Sequence, residues 1–258
     1  MHRRTLVAAA FGLSAAGGGL GQTRPARPAI FELRRVRMRN GEQVSRTTEF
    51  YEKTYAAAAR RAGADPAGFF NGLIADHGPT LTVLTSFDSL AAMETVLAKL
   101  DADREYQKAL AAYGAGAAPF DSSETTLLRG FRTMPGIELP PPRPDKPPRV
   151  FELRTYEANS PVASRRKIAM FDDDEIRIFR KCDMRPVFFG EAIAGANLPN
   201  LTYMLAFDDL AHRERAWRTF LADPDWQKLR VQPGLSDAEI VSKISSSILR
   251  PLAFSPIR

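Results

Sequence analysis

Two stretches of this sequence carry the same polar residues on an apolar frame: FELRRV from Phe31 and FELRTY from Phe151. On a strand, residues two apart share a face, so each Glu–Arg pair can form an ion pair or line a polar pocket. In the second stretch Tyr156 extends the set to Glu152, Arg154 and Tyr156. Helices need an apolar partner, which assigns Phe151, Leu153 and Thr155 to the helix side. Glu152, Arg154 and Tyr156 then point into an interior shared with Glu32 and Arg34. Two readings follow: a polar lining for a small ligand, or buried ion pairs that fix how two units dock. Phe189, Glu191 and Tyr203 lie on later strands. They either line a ligand cavity between sheet and helices or belong to the core.

Other residue types add little chemistry. Histidine is limited to His2, His77 and His212. None has a second histidine or a carboxylate at zinc-ligand spacing, so no metal site is expected. His212 is placed on an exposed helix start. Cys182 is the only cysteine, which excludes an internal disulfide and suggests a small apolar helix residue. In DDDE at 172–175, Asp172 and Glu175 are neighbours on a helix and read as a solvated face. Trp217 and Trp226 read as packing anchors. No glycine-rich nucleotide loop, nucleophile elbow or zincin motif occurs, so no cofactor is assigned and catalytic residues remain unassigned.

The elements that position these residues come in two sets. Shifting the chain by 120 residues superposes both FELR stretches. It also aligns Leu81–Lys108 with Leu201–Lys228, where 11 of 28 positions are identical without a gap. Chance would give about two, so the sequence contains an internal repeat. Each copy reads as strand, helix, two strands, helix, strand. The first strands are Ile30–Val36 and Val150–Tyr156, and the helices that follow are Glu42–Arg61 and Ala163–Lys181. Asp88 and Asp208 are placed at the starts of the second helices, with Asp88 as N-cap. This order predicts an α+β fold of two tandem ferredoxin-like (βαββαβ) domains, with bare sheet faces joined in a pseudo-dimeric α/β barrel. Met134–Pro148 holds seven prolines in fifteen residues and reads as a semi-rigid linker. The expected domains are 29–133 and 149–258.

At the N-terminus Arg3 and Arg4 precede an apolar, Ala/Gly-rich run to about Leu20. This is the pattern of an export signal over residues 1–22, of the twin-arginine or the ordinary secretory kind. It implies a periplasmic or secreted protein. The run is too short and too glycine-rich for a stable membrane span. The formal charge of +6 falls to about +4 without Arg3 and Arg4. No basic cluster is long enough for nucleic acid, which is excluded as a partner.

The second copy is similar to the NIPSNAP family through FELRTYEA, KIAMFDDDEIRIF, MRPVFFGEAIAG, LPNLTYMLAFDDLAHRERAW and FLADPDWQKL. The first copy keeps the strand-turn-strand outline but lacks LPN, both tryptophans and the paired aspartates. The resemblance implies a dimeric α/β barrel and no defined catalytic residues. Animal relatives are linked to mitochondria, vesicle traffic and mitophagy signalling, roles that are not carried to a chain with an export signal. Related barrels include small monooxygenases and haem-degrading enzymes, an analogy of fold. The sequence therefore supports a non-catalytic module that binds a small molecule or a protein. The alternative is a monooxygenase-like oxidoreductase acting in the inter-sheet cavity. A homo-oligomer is compatible with both. The less regular first copy suggests that only the second keeps a site, so Glu152 and Arg154 would matter more than Glu32 and Arg34.

Overall fold

The two FELR stretches are the strands β1 (Ile30–Arg37) and β5 (Val150–Glu157). The computed structural model describes residues 27–258, so the expected export segment at 1–22 lies outside the described residues. After β1 come α1 (Glu42–Phe50), a π-helical turn (Tyr51–Tyr55) and α2 (Ala56–Ala62). β2 (Asp65–Ile74), β3 (Thr80–Phe87), α3 (Leu90–Ala102), α4 (Arg104–Gly114) and β4 (Ser122–Gly130) complete the first half. The second half repeats the order. After β5 it has α5 (Pro161–Met170), a π turn (Phe171–Glu175), α6 (Ile176–Lys181), β6 (Arg185–Ala194) and β7 (Asn200–Phe207). α7 (Leu210–Ala222), α8 (Pro224–Leu229), α9 (Asp237–Ile240) and β8 (Lys243–Pro251) follow.

The eight strands close into one antiparallel barrel in the order β1-β3-β2-β8-β5-β7-β6-β4. Each half contributes four neighbouring strands. The halves join edge to edge, β2 with β8 and β4 with β6. Closure leaves no free sheet edge. It also encloses an inner face that water cannot cover. Phe31, Leu33, Phe70, Phe151, Leu153, Phe188, Met204 and Leu249 fill it. Phe31 meets Phe188 and Phe70 meets Phe151, at centroid distances of 5.4 and 5.1 Å.

This packing reverses the expected orientation of the strand residues. Phe151 and Leu153 point into the barrel, while Glu152, Arg154 and Tyr156 face the helix layer. The enclosed inner face has the stronger demand for apolar groups. The helix layer can bring its own donors to meet polar strand residues.

Local sequence explains the helices. Gly63 (φ 101°) ends α2 and Asp183 (φ 57°) follows α6, both in left-handed geometry that turns the chain into the next strand. The caps lie one residue later than expected. Ser89 caps α3 and Asp209 caps α7 through side-chain oxygens. The 134–148 segment lies along the barrel. The Ala29 amide donates to the Pro135 carbonyl, the Glu138 amide to Val187, and Arg149 reaches the Pro141 carbonyl.

Candidate functional site

In the second half, Glu152 is fully buried (0% exposed) and surrounded by donors. Arg213 of α7 approaches bidentately, Nε to Oε2 at 2.8 Å and Nη2 to Oε1 at 2.6 Å. Trp217 Nε1 donates to Oε2 at 2.7 Å, and Ser246 Oγ and Arg154 Nη1 to Oε1 at 2.8 and 2.9 Å. Burial pushes the carboxyl pKa up, but the Arg213 hydrogen bond and the Arg154 charge outweigh it and hold the pKa below the ordinary value. Arg154 also donates to the Tyr156 hydroxyl, which accepts from Tyr203.

Beside this set Lys167, 1% exposed, pairs with buried Glu175 at 3.1 Å and with Asp237 at 3.3 Å. Its ammonium lies over Tyr156, Phe171 and Trp226 at 5.4, 4.9 and 5.7 Å. Burial opposes that charge, but Glu175 and Asp237 outweigh it and raise the lysine pKa. Burial raises Glu175 as well. Each charge in the network has an opposite partner, and of its donors Arg154 Nε and Trp226 Nε1 alone are buried without a hydrogen bond.

The predicted aromatics join the same packing. Tyr203 and Phe189 stack face to face at 4.7 Å and 3° between sheet and helices, both fully buried. They form core rather than cavity wall. Glu191 lies apart from them at the β4–β6 seam, 3.9 Å from Arg129, half-exposed. Thus Glu152, Arg154, Tyr156 and Tyr203 come together with Phe189 close by, and Glu191 does not join them.

The first half carries the same strand pair in different surroundings. Glu32, 3% exposed, accepts from Arg34 Nε at 3.0 Å and Nη2 at 2.6 Å. Met93 and Leu97 stand 120 residues before Arg213 and Trp217, and Val36 and Val83 before Tyr156 and Tyr203. Four of the side chains that close the second half are therefore replaced by hydrocarbon, while the register counterpart of Ser246, Thr125, keeps a hydroxyl. Space opens under the helices as two cavities of about 310 and 110 Å³, with Arg34, Tyr55, Tyr106 and Leu110 as common walls. The Arg34 side chain is 24% exposed, and the buried Thr85 hydroxyl pairs with the Tyr55 phenol. Tyr55 has its phenol pKa pushed up to about 12 by burial, so it stays a donor at neutral pH. The opening lies in the first copy, opposite to expectation, because small and aliphatic replacements in α3 leave room that Trp217 fills in α7.

Further corrections concern charged residues. His212 is buried, not exposed; its Nδ1 accepts from the Asp208 amide at 3.0 Å. The acidic run lies on a π turn, which separates its members. Asp172 holds the Thr133 amide and hydroxyl, Asp173 pairs with Arg132, and Glu175 turns inward. Asp208 meets Arg143, Arg149 and Arg185 instead of capping a helix. Cys182 is buried. Among the described residues, no group of three or more His, Cys, Asp and Glu is arranged to hold a metal, and no helix is long and apolar enough to cross a membrane.

Sequence reasoning did not single out Lys167, Arg213, Ser246, Tyr55 or Thr85. The repeat contained one available signal: comparing Arg213 and Trp217 with Met93 and Leu97 reveals which copy has lost its fillers.

A closed eight-stranded antiparallel barrel with helices packed outside defines the class of fold. Residues 151–256 match the NIPSNAP family model. A candidate monooxygenase from Lactobacillus acidophilus NCFM is similar in fold, with a TM-score of 0.57 and 11% identity over 87% of this chain and 94% of that one. An anthrone oxidase-like protein gives a TM-score of 0.51 at 11% identity, over 87% and 92%. A NIPSNAP-like domain protein from Burkholderia xenovorans is 25% identical over 42% of this chain and 89% of its own, with a TM-score of 0.38. No curated protein matches the sequence.

Proposed function

We propose that this is an exported, non-catalytic small-ligand-binding protein whose first half holds the ligand and whose second half braces the barrel. One observation carries the reading. The same Glu–Arg strand pair is sealed by Arg213, Trp217 and Ser246 in one half and faces a cleft in the other. The cleft walls are aromatic, including Phe50, Tyr51, Tyr55, Tyr106, Tyr113 and Phe120. Arg34 and the Tyr55 hydroxyl add polar groups to its wall. A flat apolar molecule with an acceptor oxygen fits that chemistry. The halves are read as tandem ferredoxin-like domains, 29–133 and 149–258, joined by 134–148. Their shared strand order, β4-β1-β3-β2 and β8-β5-β7-β6, supports this division. Export rests on the 1–22 segment.

The test is calorimetric titration with 2-naphthoate as probe. Leu110→Trp, at an exposed position lining both cavities, is expected to abolish binding while the melting temperature holds. Absent binding to the parent chain, or equal binding by the variant, overturns the assignment. The oxygenase-type alternative uses the same cleft. The names of the fold neighbours favour it. Conversion of the bound probe to an oxygenated product, read by mass spectrometry, would replace the non-catalytic reading with this one.

A further inference from the structure

The barrel interior changes character along its axis. One end is packed with Phe31, Phe70, Phe151 and Phe188. An eight-stranded barrel is just wide enough for such side chains to fill it. At the other end the inward positions are short hydroxyl residues: Thr82, Thr126, Thr155, Thr202, Ser245 and Ser247. Short side chains cannot meet across the lumen. A cavity of about 190 Å³ remains, with Leu33, Leu153 and Leu249 also in its lining.

Charge is unevenly placed on its walls. Arg35 Nη2 and Arg37 Nη2 donate to opposite oxygens of Glu124, at 2.8 and 2.7 Å. Two guanidiniums thus share one carboxylate, leaving one positive charge in excess on that wall. The Arg35 Nε–H is buried without a hydrogen-bond partner. Across the lumen, Glu157 is balanced by Lys243 at 3.6 Å and accepts from Asn197 at 3.3 Å. Asp76 and His77 complete the mouth and are exposed. A buried cationic donor without an acceptor is costly unless something supplies one. One carboxylate meets that donor and pairs locally with the Arg35–Arg37 wall, while Asp76 stands out at the exposed mouth. The surrounding hydroxyls, including the bonded pair Thr155–Thr202 at 2.8 Å, suit further hydroxyl groups.

We propose that the polar end of the barrel is a second binding site, separate from the cleft, for a small hydroxylated monocarboxylate anchored on Arg35. At about 30 Å³ per water, the space equals roughly six waters, which suits a ligand of about ten non-hydrogen atoms.

The test is titration of the intact protein with L-threonate at low ionic strength, with uncharged threitol as the control. One saturable site for threonate and none for threitol is expected. Arg35→Gln should weaken threonate binding by at least about tenfold, the loss of one charge-assisted hydrogen bond. Glu124 keeps Arg37 as partner in that variant, and thermal melting checks its fold. Ser247→Val narrows the lumen from another strand and should also weaken binding, independently of Arg35. Leu110→Trp should leave threonate binding unchanged, so the cleft and the barrel mouth can fail separately. Three results overturn the proposal: no saturable threonate binding, equal affinity in both lumen variants and the parent, or equal binding of threitol.

Discussion

Glu152 is the residue on which the second half turns. Replacing it with alanine leaves two arginines, a tryptophan and a serine without their shared acceptor. Chemical denaturation of Glu152→Ala should show a loss of about 3 kcal/mol, the scale of a broken buried pair. Glu32→Ala should cost about 1 kcal/mol, since Arg34 can turn to the open cleft. Acid adds a second measurement. Glu152 has a folded pKa below the ordinary 4.5, so its ionised form stabilises the protein. That contribution is complete above 4.5 and is lost as pH falls through the depressed folded value. An acid-unfolding series should therefore show Glu152→Gln to be less pH-sensitive than the parent below pH 4.5. The Glu–Arg–Tyr grouping was legible from alternation along one strand. Its direction was not, because alternation separates two faces without saying which is enclosed. The partners Arg213 and Ser246 come from 61 and 94 residues away, beyond any local pattern.

Among the elements, the two π turns at Tyr51–Tyr55 and Phe171–Glu175 fall at the same place in each copy. Each inserts an extra residue into the helical turn and shifts the faces that follow. Tyr55 thereby reaches the first-half cleft and Glu175 reaches Lys167. A regular 3.6-residue count placed Glu175 beside Asp172 on a solvated face, which is why the buried pair was missed. The strand and helix order itself was readable from periodicity and the repeat. Cap positions depended on one-residue choices between Asp208 and Asp209. Asp209→Ala should cost α7 about 1 kcal/mol in thermal or denaturant unfolding, as the His212 amide loses its acceptor. The β4–β6 seam is tighter still. Gly190 pairs with Gly130, and a methyl group on Gly190 would lie 2.7 Å from Leu128 Cβ. Gly190→Ala should cost about 1–3 kcal/mol by forcing the seam apart.

For the molecule as a whole, the inner face is shared, so neither half has a complete core alone. A fragment of residues 149–258 would expose Phe151, Phe188 and Met204 together with the β6 and β8 edges. Light scattering should find it as a self-paired dimer or an aggregate, and a stable monomer would show that the seams matter less than the strand order indicates. In such a dimer each amino-acid change would be made twice, once on either side of the axis. Carrying both halves in one covalent chain removes that constraint. Trp217 can seal one side while Leu97 leaves the other open, and Arg35 can face Thr155 across one lumen. A tandem barrel can thus divide labour between its halves, which a symmetric pair of identical subunits has no means to encode.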